Sequence, residues 1–229
     1  DFCLRVKAFA SLTSPFMIAI MLMEGTKEKR RRELHRLCIL LGDRMFTLAK
    51  AWALQINFAC PNTEHDLKTL QSELSELVAF ARKQLPAAPI VVNVNALMPT
   101  DVLVETSAMA DAFWIGNAIP FGSAGTGFDW RRFGTDSKGA PISPLARHNT
   151  EWKGGLPGPQ CLPLSLRLLG KLRDKGVTTP VVVGNGIRTT EDLNHAQEFG
   201  AQAVFLGSVA VTRPWSMRKL ISYSNHVFS

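Results

Sequence analysis

Leu54-Gln55-Ile56-Asn57-Phe58-Ala59-Cys60-Pro61-Asn62-Thr63 decides how the rest of the chain is read. It is an apolar run with an amide in its interior and a thiol at its tip, followed by turn formers. A strand buried on both faces reads as nearly continuous hydrophobic residues, and proline after Cys60 removes a backbone donor and ends sheet pairing. Cys60 then stands at the mouth of whatever the strand builds, which is where an α/β protein keeps its chemistry. A lone cysteine before a turn is more often a small buried residue, so the neighbouring segments have to decide.

On the N-terminal side, residues 1 to 14 contain no clear periodic element, and Pro15 to Met21 reads as a buried strand. A turn at Gly25-Thr26 opens a helix from about Lys27 to Leu41, and a second helix-compatible stretch, Arg44 to Trp52, leads into the quoted strand. On the C-terminal side, Leu67, Leu70, Leu74, Leu77, Val78 and Ala81 form one face of a helix closed by Pro86 and Pro89. Pro89 to Asn95 is the next strand, Thr100-Asp101 a helix start, and Asp111 to Ile119 a strand with Asn117 near its end. A region from Pro120 to Pro159, rich in Gly, Ser, Pro and charge, is too long for an ordinary connection and is expected to be functional or mobile. Then follow a helix from Leu162 to Lys175, the strand Pro180 to Ile187, a helix begun by Thr190-Glu191-Asp192, the strand Ala203 to Ser208 and a last helix around Trp215 to Ile221.

Strands alternating with helices imply parallel βαβ units. About six strands suit either a doubly wound sheet or part of an eight-stranded barrel. The barrel is favoured because polar residues and glycine recur at the C-terminal ends of the strands, and the last two run into Gly184-Asn185-Gly186 and Gly207-Ser208. Barrels commonly bind phosphate after their last two strands, where glycine lets the backbone approach an anion. The expected fold is α/β, a (β/α)8 TIM barrel in one domain over residues 1–229. On this count the chain supplies strands three to eight, with the first strands missing and a long loop at about 120–159.

The 229 residues carry a formal charge of +7, and 46% are hydrophobic, an ordinary globular composition. The longest apolar run is shorter than the roughly 20 residues that cross a bilayer. No ordered leader pattern begins the chain, so neither a membrane nor secretion is expected. Cys3, Cys38, Cys60 and Cys161 are widely spaced, which argues against zinc and against a disulfide framework and fits a reducing, cytoplasmic setting. The basic cluster Lys27 to Glu33 precedes Leu34, Leu37, Cys38 and Leu41 at helical spacing and reads as a solvated helix face. Without aromatic interleaving or a binding motif, it does not indicate nucleic acid.

Four segments in order carry a family resemblance: Asn57-Phe-Ala-Cys-Pro-Asn-Thr63, Gly154-Gly-Leu-Pro-Gly-Pro159, Val183-Gly-Asn-Gly-Ile187 and Gly200-Ala-Gln-Ala-Val-Phe-Leu-Gly-Ser208. Together they resemble the dihydroorotate dehydrogenase family, in its cytosolic class with an active-site cysteine, over about residues 15 to 220. The resemblance implies an FMN-containing barrel oxidising dihydroorotate to orotate in pyrimidine synthesis. It implies that Cys60 is the general base, and that Asn57, Asn62 and Asn117 hydrogen-bond a dihydroorotate-like substrate. Asn93, Gly155, Gly158, Asn185, Gly186, Gly207 and Ser208 would line the FMN, the last four around its phosphate, and no metal is called for. Many members of that family are dimers, so a homodimer is open to this chain.

The departures are equally specific. The family's lysine beside the flavin pyrimidine edge matches Asn93, which can hydrogen-bond but brings no positive charge. Ala118 replaces a Ser or Thr, Asn185-Gly186 a Gly-Gly, and Ala59 the usual Ser before Cys60. The family's first two strands have no counterpart. Two other functions therefore stand beside the enzyme: a degenerate flavin- or phosphate-binding barrel without catalysis, and a related FMN oxidoreductase acting on another pyrimidine or enone.

Overall fold

Eight strands occur in the computed structural model, which describes residues 14–45, 51–58, 67–149 and 154–229. They are β1 (Phe16–Met21), β2 (Trp52–Asn57), β3 (Ile90–Asn95), β4 (Ala112–Asn117), β5 (Ile119–Pro120), β6 (Gly155–Leu156), β7 (Val181–Val183) and β8 (Ala203–Val204). Six of them form one parallel sheet in the order β1-β2-β3-β4-β7-β8, and β5 and β6 form a separate antiparallel pair. The helices are α1 (Lys27–Met45), α2 (Leu67–Gln84), α3 (Thr100–Thr106), α4 (Leu162–Asp174), α5 (Thr190–Glu198), α6 (Ser208–Thr212) and α7 (Met217–Val227). A doubly wound sheet reverses its strand order at a switch point, whereas here order in the sheet follows order in the chain. That is the wall of a TIM barrel, with six strands of it among the described residues.

Period-two alternation sorts the sheet into two faces. Leu54, Ile56, Ile90, Val92, Phe113, Ile115, Val181 and Val183 are fully buried and share one core with the helix residues Leu34, Leu74, Leu77, Val78, Leu103, Leu169, Leu172 and Leu193. The alternate residues, among them Ala53, Asn57, Val91, Asn93, Ala112, Trp114 and Val182, face away from the helices and are partly open. β1 stands at one end of the sheet, and the expectation of a buried strand is corrected there. Ile18 is buried against the helices, but Met17 and Ala19 are exposed, because β1 pairs with β2 alone among the described residues. The terminal strand β8 is likewise only half covered.

Other boundaries shift for local reasons. Helix α1 continues to Met45, past the predicted end at Leu41. β7 and β8 are shorter than their apolar runs, and Gly184 to Ile187 and Phe205 to Gly207 lie beyond their ends. α5 begins where its sequence predicts, on a capping box in which Thr189 Oγ1 accepts from the Asp192 N–H while the Asp192 carboxylate accepts from the Thr189 N–H. The basic cluster is not wholly solvated. Arg30 is buried, donating from Nε and Nη2 to both carboxylate oxygens of Glu73 at 3.0 and 2.6 Å and from Nη1 to the Glu24 carbonyl at 2.9 Å. This pair joins α1 to α2, and breaking one partner of such a buried pair costs about 3–5 kcal/mol.

At the N-terminal end of the sheet, two arginines make the same set of bonds. Arg82 of α2 donates to the carbonyls of Pro86, Ala88 and Met109 and to the Asp111 carboxylate, which lie 4, 6, 27 and 29 residues further on. Arg173 of α4 donates to the carbonyls of Val177, Thr179 and Gly200 and to the Gln202 amide oxygen, again 4, 6, 27 and 29 residues further on. Asp111 also accepts from the Ile90 N–H at 2.6 Å, and Gln202 from the Val181 N–H at 2.7 Å, each 21 residues back. Each arginine thus fastens the turn after its helix and the start of two strands.

Candidate functional site

One level of the sheet runs through register partners on all six strands: Met21, Asn57, Asn93, Trp114, Val182 and Ala203. Its centre is two amides and an indole, near the C-terminal ends of β2, β3 and β4. Just above it the pairing of β3 and β4 slips. Val94 faces Ile115 but Asn95 faces Asn117, leaving Gly116 as an extra residue. Such a bulge reverses the alternation, so Asn117 turns to the same side as Trp114. A Cβ on Gly116 would land 2.3 Å from Trp114 Nε1, so glycine there is a condition for the indole's position.

Asn117 Nδ2 donates to Asn57 Oδ1 at 2.8 Å, across the intervening strand β3. Strands two apart in a flat sheet are roughly 10 Å from one another, so this bond requires a strongly curved sheet. Asn185 continues the network: its Nδ2 donates to the Asn117 carbonyl at 2.9 Å, and its Oδ1 accepts from the Gly158 N–H at 3.0 Å. Asn185 does so from a left-handed backbone, φ 59°, the one non-glycine residue with positive φ among those described. Gly186 packs so closely that a Cβ would meet the Gly158 carbonyl and Leu162 Cβ, both at 2.9 Å. The structure therefore brings Asn57, Asn117, Asn185, Gly158 and Gly186 together, with Asn185 and Gly158 bonded to each other. Gly155 is in β6, paired with Pro120, while Gly207 and Ser208 begin the short α6.

Asn93 differs from its neighbours. Its Oδ1 is buried and accepts no hydrogen bond, one of two such side-chain atoms among the described residues, the other being Ser165 Oγ. A buried acceptor without a donor is costly, about 1–3 kcal/mol. Cys60 and Asn62 lie outside the described residues.

Sequence reading passed over Trp114 and Phe205, because aromatic residues in strands read as core. Their rings meet at 4.7 Å across β7, at an interplanar angle of 58°, and Phe205 is 42% exposed. Phe205 lies against Gly184 and Gly207, where added Cβ atoms would approach its ring to 3.3 and 3.0 Å. The two aromatics form a wall beside the amides.

The excursion after β4 is a folded unit rather than a bare loop. Phe121, Phe128, Trp130 and Phe133 cluster with Ile119, Leu156, Cys161 and Leu164 over Ala96 and Leu97 at the end of β3. Trp130 Nε1 donates to the Ser123 carbonyl at 3.0 Å. Cys161 donates from Sγ to the Leu156 carbonyl at 3.2 Å, and burial pushes its thiol up to about 11; burial does the same to Cys38. Neither thiol is ionised near neutral pH, which suits structural cysteines. No described helix is long and apolar enough to cross a membrane.

Residues 165–228 match a family model described as histidine biosynthesis protein, a stretch that takes in most of α4 and everything after it. Comparison with curated proteins gives no match. The chain is similar to the crystal structure of the ligand-free form of dihydroorotate dehydrogenase (DHODH) from Eimeria tenella, with TM-score 0.55 and 18% identity over 79% of this chain and 51% of that one. It is also similar to DHODH from the same organism in complex with ferulenol, with TM-score 0.57 and 14% identity over 83% of this chain and 52% of that one. The chain thus spans about half the length of these solved structures, and at such identities the likeness is one of fold: an α/β chain of the TIM-barrel kind.

Proposed function

We propose that the chain carries the flavin and substrate site of an FMN-dependent oxidoreductase of dihydroorotate dehydrogenase type. The observation that carries this reading is the set of neutral amides at the C-terminal end of the sheet, Asn57, Asn93 and Asn117, with the buried acceptor of Asn93 lacking a donor. Amides suit a planar, amide-edged ring, because they offer donor and acceptor without a charge to desolvate. A flavin ring presents an N–H at its pyrimidine edge, so Asn93 fits the group. Asn185 and Gly186 after β7, with Gly207 and Ser208 opening α6 after β8, are the residues for its phosphate.

Bound FMN would supply the hydride acceptor. The chain's own part is to hold the substrate through Asn57, Asn62 and Asn117 and to remove a proton with Cys60. A thiol's ordinary pKa of about 8.5 means Cys60 needs surroundings that favour the thiolate. The test is anaerobic addition of dihydroorotate to the flavin-loaded chain. Bleaching of the flavin absorbance supports the reading, and an unchanged spectrum moves the substrate to another pyrimidine or enone. Asn93 itself favours a second reading, a flavin-binding barrel without catalysis, because an amide adds no charge to stabilise reduced flavin. In that case the flavin binds and no pyrimidine bleaches it.

A further inference from the structure

Asn185 stands where the resembled family has glycine, and its side chain is engaged at both ends within the chain: Nδ2 donates to the Asn117 carbonyl at 2.9 Å, and Oδ1 accepts from the Gly158 N–H at 3.0 Å. The first bond replaces a rung of the sheet. In the parallel pairing of β4 with β7 the Gly184 N–H donates to the Ile115 carbonyl at 2.9 Å, so the Gly186 N–H is next in line for the Asn117 carbonyl. The backbone has turned away by then, with Asn185 at φ 59° and Gly186 at φ 137°, and the Asn185 amide supplies the donor instead. The second bond reaches the excursion after β4. Its arms β5 and β6 are joined by only two residue pairs, Ile119 with Leu156 and Pro120 with Gly155, and proline brings no N–H to that ladder. Gly158 follows β6 at φ 110° and ψ −174°, a conformation open essentially to glycine, and its carbonyl lies 2.9 Å from where a Cβ on Gly186 would sit. The turns after β6 and β7 are thus packed backbone to backbone with one side chain bonded across them. Since Asn117 Nδ2 donates in turn to Asn57 Oδ1 at 2.8 Å, one line of bonds runs from the excursion through Asn185 and Asn117 to β2.

We propose that Asn185 is a positioning residue that couples the excursion to the amide pair: with Gly158 seated, it holds the end of β4 at the place from which Asn117 reaches Asn57. The amide pair is then complete only together with the excursion. Glycine at this position would leave the Asn117 carbonyl and the Gly158 N–H without these partners, so the coupling belongs to this chain's departure from the resembled pattern. It concerns the chain's own bonds and does not depend on which ligand the site takes.

The test is nuclear magnetic resonance of the full isotope-labelled chain, reading the Gly158 N–H and the side-chain amides of Asn117 and Asn57. Asn185→Gly is at ease with a positive φ and removes both bonds. It should speed hydrogen exchange at Gly158 about three- to tenfold and shift the Asn117 and Asn57 side-chain signals toward those of solvated amides. Asn185→Asp keeps an acceptor for Gly158 but sets an oxygen against the Asn117 carbonyl. It should shift the Asn117 and Asn57 signals, although it touches neither side chain, while Gly158 keeps its wild-type protection. Arg82→Ala is the control for general loss of stability: it loosens the other end of the sheet and should leave the Asn117 and Asn57 signals in place. Asn117 and Asn57 signals that stay at their wild-type positions in the Asn185 variants, or that move as far in Arg82→Ala, would overturn the coupling. Should Asn185→Gly fail to fold, Asn185→Asp decides alone: shifted Asn117 and Asn57 signals with Gly158 protected support it, and unshifted signals overturn it. The readout needs no activity, so failure of the proposed function leaves this test intact.

Discussion

The unit built around Arg82 and the unit built around Arg173 are alike at one end of the sheet and unlike at the other. At the N-terminal end the two arginines take partners at the same spacings, and an Asp or a Gln in the same place ties back the preceding strand. The likeness extends along the strands: Asp111-Ala-Phe-Trp-Ile-Gly-Asn117 lies against its unit as Gln202-Ala-Val-Phe-Leu-Gly-Ser208 lies against the other. Trp114 and Phe205 hold corresponding places and touch each other. At the C-terminal end the correspondence fails. Asn93 and Asn95 stand where the second unit has Gly184 and Gly186, and Asn117 where it has Ser208. The difference separates what the fold needs from what a ligand needs: the repeated end fastens strands to helices, while the divergent end offers amides from one unit and glycine turns from the other. In TIM barrels stability resides at the first end and chemistry at the second.

The largest effect should come from the residue proposed as general base. Cys60→Ala is expected to reduce dihydroorotate oxidation by a factor of at least about 100, the usual range for a general base, with flavin retained. Loss of flavin together with activity would instead assign Cys60 to the cofactor. At the repeated end, Arg82→Ala and Arg173→Ala should each destabilise the chain by about 2–3 kcal/mol in urea unfolding, since each leaves several carbonyls without donors. Costs differing by more than about 1 kcal/mol would break the equivalence of the two units. Asn93→Lys introduces a cation at the divergent end and, on the proposed function, should speed flavin reduction about tenfold, read by stopped-flow absorbance; no change would mean another cation already serves. The smallest effect belongs to Asp111→Asn, which gives the first arginine an uncharged amide partner like that of the second. Asp111 is half exposed, so the loss should stay under about 1 kcal/mol and shrink at high salt.

Much of this was legible in the sequence because strand and helix periods differ. The buried faces of β2, β3, β4 and α2 are where alternation and helical spacing put them. Three things were hidden, each for a physical reason. Arg30 sits in a charged run that looks solvated, and only the approach of Glu73 from α2, 43 residues on, explains its burial. Asn117 reaches Asn57 only because of the bulge at Gly116, and strict alternation would have sent it the other way. The two clamps depend on spacings shared by distant segments, invisible when each strand is read alone. A signal was there in Pro89-Ile-Val-Val and Pro180-Val-Val-Val, each seven residues after its arginine, and in Gly116 and Gly207 at matching positions of the two units.

The most direct measurement of the central claim is the visible absorption spectrum of the purified chain after incubation with FMN and removal of the free cofactor. A retained flavin spectrum at close to one equivalent per chain is the predicted result, since it requires the divergent end of the sheet to hold a planar heterocycle. A colourless chain that is folded by circular dichroism would contradict the account.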